Sequence, residues 1–188
     1  MSSERKYKVQ PAGPLMKEHR VIEKMVSLLE NERKTLEKSD VDVCFLKIAV
    51  DFFRFYADHC HHGKEEDILF SRLENKEISK EHQEIMEELF ADHKKGRKLT
   101  KELDQLADKA KEAGTKDRVV NILDELVSLY RQHIQKEDQQ FFLPVMDYFD
   151  NVEKDAMIDK FFDFDKDLIH KRYSNIVSEL EEEKNGEK

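Results

Sequence analysis

The chain of 188 residues has no tryptophan, two cysteines, three prolines and five glycines. So few helix breakers leave little material for the turns of a many-stranded fold and point to a mostly helical one. Cys44 and Cys60 are too few for a disulfide framework and too ordinarily placed for a zinc site. Both read as buried small hydrophobes in a reducing compartment. No apolar run reaches the length that spans a bilayer, and the N-terminus lacks the apolar stretch of a signal peptide, so the expectation is a cytoplasmic protein with no membrane partner. Forty per cent of the residues are charged and the formal charge is −9, with Lys and Glu interleaved. Without a clustered basic face there is no nucleic-acid partner to expect.

The length fits one domain over residues 1–188 with a sizeable core. After Pro11, Gly13 and Pro14, the spacing of Leu15, Ile22, Val26 and Leu29 predicts a first helix over about 14–37. Ser39 and Asp40 offer an N-cap for a second over about 41–74. Asn75 and Ser79 bracket a turn before a third over about 80–112. Gly114 then reads as a C′ glycine and Thr115 as the N-cap of a fourth over about 116–148, which Pro144 should kink or end. Asn151 opens a fifth helix over about 152–182. The fold class is therefore all-α: an up-down-up-down four-helix bundle over residues 10–148, with an additional C-terminal helix over 151–183.

Two histidine–carboxylate pairs recur on this frame. His62 precedes Glu66 by four residues, and His133 precedes Glu137 by four. At that spacing two side chains share a helical face about 5–6 Å apart at Cβ, so their heads can converge on one ion. On the second helix Phe52, Phe55, His59, His62, Glu66, Leu69 and Leu73 follow a core stripe at spacings of three and four. On the fourth, Ile122, Leu126, Leu129, His133, Glu137 and Phe141 do the same. Leu89, His93, Gly96 and Leu103 share a face on the third helix, and Leu15, His19, Ile22 and Leu29 on the first. With turns centred near 38, 76 and 115, His19, His62, His93 and His133 fall within about five residues of one level, or roughly 8 Å. Carboxylates buried on core stripes need something positive between them. Imidazole with carboxylate suits iron, manganese or zinc.

The segments His61-His62-Gly63-Lys64-Glu65-Glu66-Asp67-Ile68-Leu69-Phe70, His93-Lys94-Lys95-Gly96-Arg97 and His133-Ile134-Gln135-Lys136-Glu137, with Glu18-His19-Arg20, resemble the signatures of the hemerythrin-like, or HHE cation-binding, family. The resemblance implies a di-iron centre of two iron ions inside the bundle, with manganese or zinc as substitutes. His19, His62, His93 and His133 would be terminal ligands, and Glu66 and Glu137 bridges. It further implies O₂ or NO as the small-molecule partner, in binding or sensing, or a role in iron handling. The oxygen carriers of the family place a second histidine four residues from the one on the third helix; Leu89 and Arg97 stand at those positions here. His59, one turn before His62, could fill the place. Asp138 has the carriers' five-residue spacing from His133 and competes with Glu137, as Glu65 does with Glu66.

The remaining histidines read as bystanders. His61 points about 100° from His62, toward the surface or behind the ligands. His82 lies about 16 Å along the helix from His93, and His170 sits on a solvated face. Phe161, Phe162 and Phe164 on the fifth helix offer a surface for a homodimer or another partner. Two other readings are a di-iron enzyme or iron donor resembling the iron-sulfur-cluster repair proteins, although residues 1–13 carry no cysteine of the kind those proteins use, and an iron-responsive regulatory module.

Overall fold

A computed structural model describes residues 6–186, with side chains through residue 168. Among these residues there are helices and no strand. Helix α1 is Ala12–Thr35. Helix α2 runs continuously over 43–73, α-helical over Val43–Phe52 and Ser71–Leu73, with π-helical stretches at Phe53–His62 and Glu65–Phe70. Helix α3 is Lys80–Asp108. Helix α4 covers 115–145 and contains a π-helical turn at Glu137–Phe141. A short 3₁₀ turn, Met146–Tyr148, leads to α5, Asn151–Gly186.

Local chemistry sets these limits. Asp42, rather than Ser39 or Asp40, caps α2 by accepting from the Phe45 amide at 3.0 Å. Ser79 does the same for α3 with the His82 amide. Gly114 takes φ +79° and is itself the residue before the first turn of α4, so Thr115 is already helical; a side chain in that left-handed conformation would be strained. Pro144 lacks an N–H and its ring crowds the carbonyl four residues back, and α4 ends one residue later, just after its π turn. Asp150 and Glu153 form a reciprocal capping box at the start of α5, with amide-to-carboxylate distances of 2.8 and 2.9 Å.

Helix α1 packs along α4, α4 along α3 and α3 along α2, which closes the four-helix bundle. Helix α5 lies outside it, over the π-helical stretches of α2. The apolar interior falls into two clusters. One holds Ile22, Leu29, Leu46, Phe53, Leu103 and Leu126. The other holds Leu15, Leu69, Phe70, Leu89, Phe141 and Phe161. Each fully buried side chain of this kind contributes about 1.5–3 kcal/mol. Between the clusters lies a belt of buried polar residues: His19, His61, His62, Glu65, His93, His133 and Glu137.

Cys44 is exposed and Cys60 half-buried, neither being the buried hydrophobe expected. Of the aromatic patch on α5, Phe161 is buried, Phe164 is half-buried and only Phe162 is exposed, beside Tyr7. The side chain of His170 lies outside the described residues.

Candidate metal centre

The polar belt follows from how α2 winds. Phe53, Ala57, His61, Glu65, Leu69 and Leu73 are all buried, at a strict spacing of four. A regular α-helix turns every 3.6 residues and would rotate such a series off any one face. Bonding from residue i to i+5 widens the turns, and the two π-helical stretches keep the series pointing inward. They also bring His61 and His62 into the interior together, on either side of the bundle axis. On α4, Glu137 opens a π turn and stays in line with His133 and Phe141.

Seven side chains gather into two overlapping groups. His62, Glu65, His93 and His133 form one, and His19, His61, Glu65 and Glu137 the other; within each, one ligand atom per residue lies within 4.8 Å of every other. The carboxylates are shared between the groups. Glu65 places Oε1 3.2 Å from His61 Nε2 and Oε2 3.3 Å from His93 Nε2. Glu137 places Oε2 3.1 Å from His19 Nε2 and Oε1 3.3 Å from His133 Nε2. In the two-histidine group the Nε2 atoms of His19 and His61 are 2.9 Å apart; in the three-histidine group those of His93 and His133 are 3.2 Å apart. Two nitrogens each about 2.1 Å from one ion and at right angles would lie about 3 Å from each other. His62 stacks on His93, ring centroids 3.8 Å apart.

Behind the histidines stands a ring of outer carboxylates aimed at Nδ1. Asp138 is 2.7 Å from His19, Glu18 2.9 Å from His61 and Glu66 2.6 Å from His93. Asp58 and Asp92 lie 3.5 Å from His62 and His133. Such partners fix the ring and turn Nε2 toward the interior. Cations hold them in turn: Arg20 pairs with Asp138, Lys64 with Glu18, Arg97 with both Glu66 and Asp58, and Lys136 with Asp92.

Without a cation the interior is poorly satisfied. Both oxygens of Glu65 and of Glu137, both ring nitrogens of His62 and Nδ1 of His133 are buried without a hydrogen-bond partner. An unpaired buried carboxylate costs several kcal/mol. Burial and the facing Glu65 push the Glu137 carboxyl well above the usual range, so it keeps a proton. Glu65 is held ionised against burial by His61 and His93. Burial disfavours the charged forms of His61 and His93, but the carboxylates of Glu65, Glu18 and Glu66 outweigh it and raise both to about 9. Burial lowers His133 to about 4 and His62 well below its usual value. Protons thus stand where the donor set, five imidazoles around two carboxylates, suits transition-metal cations.

Of the residues singled out in the sequence, His19, His62, His93, His133 and Glu137 come together in these groups. Glu66 and His59 do not. Glu66 is half-buried and turned to His93 Nδ1 and Arg97. His59 is exposed, edge-on to Phe55. His61 and Glu65, which the three-and-four stripe sets aside, point into the centre. His82 bonds the Tyr148 hydroxyl at 2.8 Å, remote from the site. The four-residue ladder from Phe53 to Leu73 was the signal that identifies the pair.

A cleft of about 450 Å³ approaches the three-histidine group, lined by Phe53, Asp58, His62, Arg97, Thr100 and Tyr130 among others. No described helix is long and apolar enough to cross a membrane. The family model described as hemerythrin HHE cation binding domain matches residues 11–159. No curated protein and no solved structure matches the chain.

Proposed function

The chain belongs to the hemerythrin HHE cation-binding domain family, and from that premise we propose that it holds two iron ions and binds or senses O₂ or NO. The observation that carries the reading is the division of each buried carboxylate between two histidine groups. On this reading His62, His93 and His133 would hold one ion and His19 and His61 the other, with the carboxylates of Glu65 and Glu137 shared between them. When bound, an iron pair supplies the one-electron exchange by which a diatomic ligand is taken up.

The chain's own residues do the rest. Phe70, Phe141 and Phe142, all fully buried, wall the centre from water on one side. Phe142 stacks on His19 with centroids 5.4 Å apart and fixes the plane of that ring. The carboxylates of Asp138, Glu18 and Glu66 set which nitrogen of His19, His61 and His93 faces inward. Glu66 serves there, as the acceptor for His93, and not as a bridge.

Elemental analysis, with an anaerobic spectrum before and after O₂, tests the proposal. About two irons per chain and a charge-transfer band that appears and reverses with O₂ are expected. A folded protein that takes up no iron under reducing conditions would refute it. The cleft beside His62 favours a second reading, since about 450 Å³ admits more than a diatomic molecule. A di-iron enzyme or iron donor would consume O₂ or NO, or release iron, without reversal of the spectrum.

A further inference from the structure

Among the described residues, helix α5 reaches the support of the two-histidine group through a buried cation, Lys64. The Lys64 side chain is 1 % exposed. A buried ammonium is costly unless paired. Its Nζ pairs with Glu18 of α1 and donates to Asp165 Oδ1 of α5 at 2.8 Å. The other oxygen of Glu18 accepts from His61 Nδ1 at 2.9 Å. The Cys60 thiol also donates to Asp165, at 3.4 Å. One residue earlier on α5, Phe164 sits so close over Gly63 that an added Cβ would lie 2.6 Å from its Cζ. Asp165, Lys64, Glu18 and His61 thus form one chain of contacts from α5 to the two-histidine group.

Among the described residues the three-histidine group has no such dependence. Its outer carboxylates Glu66, Asp58 and Asp92 are held by Arg97 and Lys136, which belong to α3 and α4. Without Asp165, Lys64 would rely on Glu18 alone and draw it from His61. With α5 displaced, Lys64 would also lose its cover.

We propose that α5 clamps one half of the centre, with Asp165 and Lys64 as positioning residues for His61, so that seating of α5 and retention of the metal in the two-histidine group are coupled. The inference rests on the proposed metal pair and goes beyond it by making the two ions unequal. Coupling is reciprocal: the metal should steady α5 as α5 steadies the metal.

The test uses the full chain loaded with iron and two variants that leave all seven donors in place. Asp165→Asn removes the anchor at a partly exposed position, and Gly63→Ala pushes Phe164 away without changing charge. Release to a chelator is followed over time, with helicity confirming the fold and amide exchange followed over residues 155–165. Weakening an outer partner of a metal ligand typically costs about 10–100-fold in affinity. In each variant one equivalent of iron should leave about 10–100-fold faster than in the parent while the other is unaffected. In the parent, stripping the metal should accelerate exchange in α5. Release unchanged in both variants, or both equivalents accelerated alike, overturns the clamp while leaving the metal pair intact. A folded parent that binds no metal overturns the underlying reading, and the clamp with it.

Discussion

Glu65 and Glu66 are neighbours whose substitution should have opposite weights. Glu65 is fully buried, with one oxygen 3.2 Å from His61 Nε2 and the other 3.3 Å from His93 Nε2. Glu66 is 21 % exposed and accepts from His93 Nδ1 at 2.6 Å and from Arg97 at 2.8 Å. Glu65→Gln removes half of the carboxylate charge facing the ions and weakens a donor shared by both groups. Removing one partner from a buried ion pair costs about 3–5 kcal/mol, and each 1.4 kcal/mol is about tenfold in affinity. The pair should therefore bind roughly 100- to 4,000-fold more weakly, or not at all at micromolar metal. Glu66→Gln keeps an oxygen that can accept from His93 and should retain both ions with about 10–100-fold weaker binding. Competition against a chelator of known affinity measures both. Thermal melting of the metal-free proteins checks the fold: Glu65→Gln should still melt cooperatively but below the parent, because it leaves the buried His61 and His93 without the carboxylate they share. Loss of the pair in Glu66→Gln with full retention in Glu65→Gln would refute the assignment.

Metal uptake should release protons from His61, His93 and Glu137, so affinity should rise with pH up to about 9; calorimetry in buffers of different ionisation enthalpy counts them. The metal-free fold should be most stable near neutrality. His61 and His93 have folded values above the unfolded one, so their contribution is full below about 6.5 and fades as pH rises through about 9. His133, depressed to about 4, contributes above about 6.5 and loses that contribution as pH falls toward 4. Denaturant titrations of the metal-free protein across this range check both limbs. Phe53, 1 % exposed and 4.7 Å from the Tyr130 ring, should cost about 3–5 kcal/mol when changed to Ala, read as a lowered denaturant midpoint, and should widen the cleft beside His62. Asp42→Ala should cost about 1 kcal/mol by removing the cap of α2, with metal binding unchanged.

The bundle was legible because its helices are long, strongly periodic and separated by recognisable breaks. Expected ends at about 80–112 and 116–148 compare with Lys80–Asp108 and 115–145. The errors lie at the caps. Ser39, Asp40 and Asp42 can all cap a helix, and only the observed chain path selects Asp42. Cys44 failed for a different reason: its position near the start of α2 faces outward, and residue type alone does not reveal a face.

The centre was legible in kind but not in register. His19, His93, His133 and Glu137 lie on helical stretches where spacings of three and four hold, apart from the π turn that begins at Glu137 itself. On α2 the same rule favours a stripe through His59, His62 and Glu66, because an ordinary α-helix averages 3.6 residues per turn. Here 16 of the residues are π-helical, ten in the first stretch and six in the second. Over 20 residues from Phe53 to Leu73 a spacing of four accumulates about half a turn more than an α-helix would tolerate. That extra half turn is what exchanges Glu66 for Glu65 at the centre and admits His61 beside His62. The widened helix places two adjacent histidines in the interior, and this supplies from α2 the fifth imidazole that α3, with Leu89 and Arg97 flanking His93, does not provide.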